Sequence, residues 1–500
     1  MPAELQAGAA PLSNLPIVAL ETVLQSLDLA SIKNLRLTSR VLGENCVGPQ
    51  FKSFFRHPKT DLSQHSLRNL DALISNLRLG SAVESVTLVA VVYDFETLEE
   101  ILTTKRKNHI ESRGGIRKVT YSTCSKEELV ATREELDWMH ARQREYDDQH
   151  IPTVADELAS ILKKLGQLKS LRLDASCVQG LDETRPISLV DELVPVSISA
   201  SRVFSIATLA MAKSRVNVGT LEVFKDAIQC SVQSADITNH MVNLEDGNFS
   251  VTGQHIKELA LSFSTRVYME LEEAGGVPSP TEFPARPRYD YQLDIDENPH
   301  ALAPDNFPGV AGMLGYTPNL EALDLHMYQT AEGNGEAYSQ LFTRVAKDVQ
   351  LPALERVVLR GLYVKGEDLL LFLTNHPNIK TLHLLTISLS DSWEPIFAHL
   401  SSMPALEYLW LSALRGDGKT VNLDPEKEKF SQPMDHRRIN PTSRFDWYPL
   451  GGASLVHTRE IYHEELREGL HFKPSPRGGL MGSGRTMRFH QSQTLLYGRH

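Results

Sequence analysis

From residue 80 onward, one short pattern of apolar and polar positions recurs along the chain, of the form apolar-x-x-apolar-x-apolar. Its last three positions alternate with the period of two expected of a strand that has one buried face. Helical patterns precede several copies, as at residues 153–167 and 366–378. Strands that alternate with helices predict an α/β fold with parallel strands. The eight copies lie at residues 83–88, 116–121, 168–173, 256–261, 320–325, 354–359, 379–384 and 406–411.

The recurring pattern is similar to the core of a leucine-rich repeat, and it predicts that residues 80–414 form an irregular solenoid of such repeats. The last four copies start 34, 25 and 27 residues apart, whereas earlier gaps are mostly longer and must hold insertions. We assign one insertion to residues 125–150, a helix opened by a capping box of Ser125 and Glu128. A second, rich in proline, glycine and acids, covers residues 275–310. Residues 181–235 are expected to hold a further copy in which the pattern is degenerate.

Strand residues that flank the buried leucines should point away from the core, because side chains of a strand alternate between its two faces. This outward set mixes charges with one aromatic residue, a composition typical of protein-binding surfaces. We predict that it binds a protein substrate, the alternative being ordinary solvated residues or residues covered by the C-terminal tail. Its members are Arg172, Asp174, Asp324, His326, Arg360, His383 and Trp410.

The N-terminal part of the chain has the pattern of three short helices. Pro16 suits the first position of a helix, and apolar residues at helical spacing follow it. A second stripe begins near Leu29, and Thr38 or Ser39 can cap a third helix. Three short helices bury little area, so the unit needs a partner surface. The first apolar stripe contains Leu20, Val23, Leu24 and Leu27.

This segment resembles the F-box, a helical module that docks on the Skp adaptor of cullin-based ubiquitin ligases. The opening Leu15-Pro16, the apolar stripes and the basic step Ser39-Arg40 carry the resemblance. A plain helical hairpin packed on the next domain is the alternative. An F-box followed by a leucine-rich repeat-like array resembles the large fungal F-box family, in which the array recruits a substrate. The resemblance implies adaptor binding, for which the candidate residues are Leu15, Pro16, Leu20, Leu24 and Leu27.

These features divide the chain into five segments. In order, they are a flexible tail at 1–14, the F-box-like module at 15–48, linker helices at 49–79, the degenerate repeat array at 80–414, and a C-terminal cap with a mobile tail at 415–500.

Charge and cysteine content narrow the function further. The net charge of −12 disfavours nucleic-acid binding, which requires cations that neutralise phosphates. The four cysteines form no metal-binding or redox motif, which fits a reducing compartment. The N-terminus does not have the pattern of a signal peptide, and no run of apolar residues is long enough to predict a membrane span. We therefore expect a cytoplasmic or nuclear protein that binds neither nucleic acid nor membranes.

Several segments resemble catalytic or ion-binding motifs but lack a residue that the motif requires. Residues 479–486 resemble a phosphate-binding loop but have Arg485 in place of the lysine. Residues 294–305 resemble a calcium loop but have Pro299 where glycine is required. The sequence contains no motif that combines a nucleophile, a general base and an oxyanion hole, so we predict no catalytic residues, metal or cofactor.

The sequence thus favours a non-catalytic substrate receptor of a Skp-cullin-F-box ubiquitin ligase, linked to the cullin through the adaptor. The rival is a leucine-rich repeat scaffold that joins no ligase and whose N-terminal helices cap the solenoid. A weaker alternative is an enzyme whose active site lies in the long insertions.

Overall fold

The structure is a computed structural model. The residues it describes are 12–113, 116–180, 184–185, 193–227, 230–264, 303–328, 338–417, 419–425, 458–470 and 472–478. Of the predicted segments, residues 1–11, most of the 275–310 insertion and the 479–486 near-match lie outside these ranges, as do residues 294–302 of the calcium-loop near-match.

Sixteen α-helices occur in these residues. They are α1 (Ile17–Leu24), α2 (Leu29–Thr38), α3 (Arg40–Asn45), α4 (Pro49–Ser53), α5 (Gln64–Ser75), α6 (Glu96–Thr104), α7 (Lys126–Asp147), α8 (Ile151–Leu165), α9 (Leu193–Ser214), α10 (Ser234–Asp246), α11 (Phe249–Gly253), α12 (Pro308–Gly315), α13 (Ser339–Asp348), α14 (Gly366–Asn375), α15 (Glu394–Ser402) and α16 (His463–Arg467).

Nineteen strands accompany these helices in the described ranges. They are β1 (Lys59–Thr60), β2 (Ser85–Tyr93), β3 (Arg106–Arg113), β4 (Ile116–Thr123), β5 (Gln167–Val178), β6 (Thr184–Arg185), β7 (Asn217–Val223), β8 (Val232–Gln233), β9 (Glu258–Ser264), β10 (Ala322–Tyr328), β11 (Arg356–Arg360), β12 (Tyr363–Val364), β13 (Thr381–Leu385), β14 (Ser388–Leu389), β15 (Tyr408–Ser412), β16 (Arg415–Gly416), β17 (Lys419–Pro425), β18 (Thr458–Tyr462) and β19 (Phe472–Gly478).

A mostly parallel sheet of twelve strands organises the molecule, so the predicted α/β class is confirmed. Its main path runs β1-β2-β5-β7-β9-β10-β11-β13-β15-β18, so the strands along this path follow their order in the sequence. Every pair from β1 to β15 along this path is parallel. The last strand, β18, is antiparallel to β15.

Helices cover one face of this sheet and bury the leucines of the recurring pattern. Leu171, Leu323, Leu382 and Leu409 are all at most 2% exposed and belong to one core that extends from Leu62 to Leu470. Helices that are near one another in the sequence also contact one another, so the helices stack in the same order as the strands. Helix α9 is long and apolar enough to cross a membrane by length and composition, but 72% of its apolar window is buried inside the protein.

A left-handed residue follows several strands of the main sheet. Phe224, Gly361, Thr386 and Ala413 have φ values of 51°, 70°, 56° and 50°, and each comes directly after a strand. A Cβ at Gly361 would lie 2.3 Å from the carbonyl oxygen of Met327, so glycine is required there. The chain then turns into a second sheet of order β12-β14-β16-β17-β19, whose first three strands are parallel.

One detail of the predicted pattern is wrong. Residues 116–121 lie in β4, which pairs with β3 as a separate antiparallel hairpin. The sequence Gly114-Gly115 between the two strands is a hairpin signal, and it explains why local pairing replaces a place in the parallel sheet. Residues 218–223 fit the recurring pattern and lie in β7, inside the range expected to hold a degenerate copy. The inserted helix of residues 125–150 is α7, and its capping box is present as predicted.

The N-terminal helices α1 to α4 have a small hydrophobic core of their own. Leu20, Leu24, Ile32 and Leu42 are buried in it. Phe51 of α4, in the segment assigned to linker helices, is also part of this core. The guanidinium of Arg36 lies 4.4 Å from the ring centroid of Phe51 and helps to hold it there. Ser39 caps α3, as predicted, by accepting a hydrogen bond from the backbone N–H of Leu42.

Candidate protein-binding surfaces

The face of the main sheet opposite the helices carries two ordered rows of side chains, which we call the outer face. The strand register defines both rows. The first consists of Thr87, Arg172, Glu222, Ala260, Asp324, Val358, His383, Trp410 and Glu460. The second, two residues further along the strands, includes Ser262, His326, Arg360, Leu385, Ser412 and Thr458.

The structure therefore brings the predicted substrate-binding residues to one face but not to one point. Arg172 and Trp410 are six strands apart in the first row, a separation of roughly 29 Å at the spacing of neighbouring strands. Ala260 interrupts the charged side chains between them. The outer face thus has two distinct ends.

At the N-terminal end, the predicted residues form ion pairs. Arg172 Nε lies 2.6 Å from Glu222 Oε2, and Lys225 approaches the same carboxylate from the adjoining turn at 3.4 Å. Asp174 is paired with Lys59 at 3.5 Å. The opposite charges largely neutralise one another, so this end has no strong preference for an acidic or a basic ligand.

At the C-terminal end, Arg360 and Asp324 form a bidentate ion pair. Arg360 Nε donates to Asp324 Oδ1 at 3.0 Å and Nη2 donates to Oδ2 at 2.6 Å. Both side chains are only 15% exposed. His326, which neighbours Arg360 in the register, is buried and its ring lies 4.1 Å from that of Tyr328. The guanidinium of Arg360 is therefore already occupied.

Beside this ion pair lie four aromatic rings, which we call the aromatic cluster: His383, Tyr408, Trp410 and Tyr462. The ring of His383 lies 5.2 Å from that of Trp410 and 5.5 Å from that of Tyr408, both edge to face. Tyr408 lies 5.3 Å from Tyr462 of β18. Edge-to-face rings at these distances attract each other, which fixes their orientation.

Burial sets the protonation of the cluster. It lowers the pKa of His383, with a further lowering by Arg360 that is opposed by Asp324 and Glu460, so the imidazole is neutral at pH 7. Burial also raises the pKa of Tyr408 to about 12, and the negative charge of Glu460 adds to that effect. Tyr462 donates a hydrogen bond to Glu460 Oε2 at 3.3 Å. The carboxylate of Glu460 is therefore the main charge at this edge.

Several residues of the outer face were not predicted. Tyr408 lies two positions before Trp410 on β15, so strand alternation was a sufficient signal to find it. Glu222 lies on the copy at 218–223 that was not recognised. Glu460 and Tyr462 lie on β18, which has no recurring pattern and pairs with a strand far away in the sequence.

In the N-terminal module, the predicted adaptor-binding residues have different environments. Leu20 and Leu24 are buried in the core, Leu15 and Leu27 are half-buried against it, and Pro16 is exposed. Pro16 precedes the first helical residue and acts as its N-cap position. Of these five predicted residues, only Pro16 and the accessible parts of Leu15 and Leu27 can contact a partner of the folded module.

Other apolar side chains of the module are exposed instead. Leu37 and Val18 are 84% and 80% exposed. The 3-10 turn Leu12–Asn14, in which Leu12 is 43% exposed, contacts α3, the helix that carries Val41. Exposed apolar side chains concentrated on a small unit make it a candidate for binding a partner protein. This set, the exposed apolar patch, comprises Leu12, Ile17, Val18, Val23, Leu37 and Val41.

Within the described part of the chain, no group of three or more histidine, cysteine, aspartate or glutamate side chains could hold a metal ion. No family model matches the sequence, and no curated protein is similar to it.

Proposed function

We propose that this protein is a non-catalytic substrate receptor of a Skp-cullin-F-box ubiquitin ligase. In this proposal the N-terminal module docks on the Skp adaptor, and the outer face of the sheet binds a protein substrate. Ubiquitin transfer is performed by other subunits. The chain contributes proximity, because holding two partners on one scaffold raises their effective concentration.

The observation that carries the proposal is the exposed apolar patch on a module with its own core. The core of α1 to α4 is separate from the core of the sheet, so the patch can be covered without rearranging the rest of the molecule. Apolar surface of this kind gains free energy when a partner removes it from water. The sequence resemblance to the F-box supplies the identity of that partner.

The repeat-like organisation supports the second half of the proposal. Parallel strands in chain order, each preceded by a helix, and left-handed residues after four strands are consistent with a leucine-rich repeat-like solenoid. Such stacks present a broad row-ordered face, and the ion pairs and aromatic rings on the outer face suit protein recognition.

Exposed patch residues provide a sharp test. We expect the triple variant Ile17→Ser, Val18→Ser, Leu37→Ser to bind a purified Skp adaptor at least about tenfold more weakly than wild type, because truncated interface anchors often cost about 2 kcal/mol each. Binding is measured by calorimetry on the full-length chain. These side chains are exposed, so the melting temperature should change little.

Val242→Ser is the matched control, since Val242 is 64% exposed but lies on α10, outside the module. It should bind the adaptor as wild type does. If wild type does not bind the adaptor at all, the rival reading of a repeat scaffold outside any ligase replaces this proposal. If wild type binds and the triple variant binds equally well, docking uses another surface.

A further inference from the structure

The C-terminal end of the outer face has an unbalanced charge. Arg360 forms an ion pair with Asp324. Arg356, two residues before Val358 on the same strand, forms an ion pair with Glu258 at 2.5 Å. Glu460, by contrast, is exposed, and its neighbours are the hydroxyl groups of Tyr408 and Tyr462. Among the residues that the structure describes, no lysine or arginine forms an ion pair with Glu460.

The aromatic cluster adjoins this carboxylate. Trp410 is directly opposite Glu460 in the β15–β18 register, and Tyr408 is opposite Tyr462. Tyr462 is 59% exposed, whereas Trp410 and Tyr408 are half-buried, so the rings form a wall that is accessible from one side. The face of an aromatic ring carries negative potential and attracts cations.

We infer that the aromatic cluster and Glu460 bind a cationic side chain, arginine in preference to lysine, that a protein substrate presents. The inference rests on the proposed function, because it names the class of substrate that the outer face binds. A guanidinium can stack on an aromatic ring while it donates to a carboxylate, which an ammonium does less well. An acidic side chain would be repelled by Glu460, and the guanidinium of Arg360 is already bound to Asp324.

The test uses short random peptides displayed on phage and selected on the immobilised full-length protein. Wild type should enrich peptides that contain arginine. Glu460→Gln, a neutral change of similar shape at an exposed position, should abolish that enrichment. Glu464→Gln makes the same chemical change at an exposed residue of helix α16, which is not part of the outer face, and should keep the enrichment.

The selected peptide is then compared with its citrulline analogue, which keeps the shape of arginine and removes the charge. On wild type, citrulline should weaken binding about tenfold, equal to about 1.4 kcal/mol. On Glu460→Gln, the two peptides should bind nearly equally. The inference is overturned if wild type selects acidic or apolar peptides or none, if citrulline binds as well as arginine, or if Glu460→Gln keeps the arginine preference.

Adaptor binding of the same variants separates this inference from the proposed function. Glu460→Gln should bind the Skp adaptor as wild type does, because Glu460 is far from the N-terminal module in the strand order. If wild type binds the adaptor but shows no preference for arginine peptides, only the inference is refuted. If wild type prefers arginine peptides but does not bind the adaptor, the ligase role is refuted, and the protein is a scaffold that binds basic segments.

Discussion

His240 makes the folded state sensitive to acid. Its imidazole is buried, with Nε2 2.9 Å from Thr208 Oγ1 and its ring 5.9 Å from that of Phe204. Burial lowers its pKa from 6.5 to about 4. Between these values the unfolded chain binds a proton that the folded chain does not, so stability is full above about pH 6.5 and falls as the pH decreases towards 4. We expect a loss of about 3 kcal/mol from this group, measured by urea unfolding.

The variant His240→Gln isolates this contribution. It should be less stable than wild type at pH 7.5, because the packing against Phe204 is disturbed, but its stability should fall less steeply below pH 6.5. His376, whose pKa burial also lowers, supplies part of the remaining slope. His255→Gln, at an exposed position, is the control and should keep the wild-type slope. An unchanged slope in His240→Gln would mean that folding does not lower the pKa of His240.

The Arg360–Asp324 pair stabilises the outer face as well as shaping it. Removing Arg360 leaves a carboxylate that is 85% covered without its bidentate partner, so Arg360→Ala should cost about 3 kcal/mol in urea unfolding. The double variant with Asp324→Ala should cost less than the sum of the two single changes. Arg356→Ala breaks an exposed pair with Glu258 and should cost under about 1 kcal/mol. Additive effects of Arg360→Ala and Asp324→Ala would show that the pair is not coupled.

At the scale of the element, each strand is held by its inward leucine. Leu171→Ala, Leu382→Ala or Leu409→Ala creates a cavity in a close-packed core and should cost about 2 to 5 kcal/mol. Leu371→Ala on α14 makes the same change at a partly exposed position and should cost much less. Thermal unfolding followed by circular dichroism measures both. Equal melting temperatures for the core and surface variants would refute the assignment of these leucines to the core.

Sequence patterns identified most elements but not all of their partners. The strand pattern located β2, β5 and β9, because alternation and burial depend on the strand alone. It misplaced residues 116–121, since the pattern does not distinguish a strand of the parallel sheet from one arm of a local hairpin. The left-handed residues after the strands could not be predicted either. Thr386 and Ala413 adopt that conformation because the second sheet holds the turn, not because of their own preference.

At the scale of the whole molecule, the order of the parallel strands follows from the sequence, because the strands of the recurring pattern stack in chain order even where a hairpin or a long insertion separates them. The pairing of β18 with β15 does not, because it joins distant segments and depends on the completed sheet edge. The candidate surfaces divide in the same way. Alternation places Asp324 and Trp410 on the outer face, whereas a helical stripe in the N-terminal module cannot distinguish buried Leu20 from an interface residue.

The antiparallel attachment of β18 has a consequence for protein synthesis. The hydrogen-bonding edge of β15 has no partner strand on that side until residues 458–462 leave the ribosome, late in translation. During that interval the apolar segment Tyr408–Ser412 presents an open edge that can pair with a neighbouring nascent chain. Chains whose synthesis stops before β18 is made would therefore be prone to aggregate, even though all the parallel strands have already been synthesised.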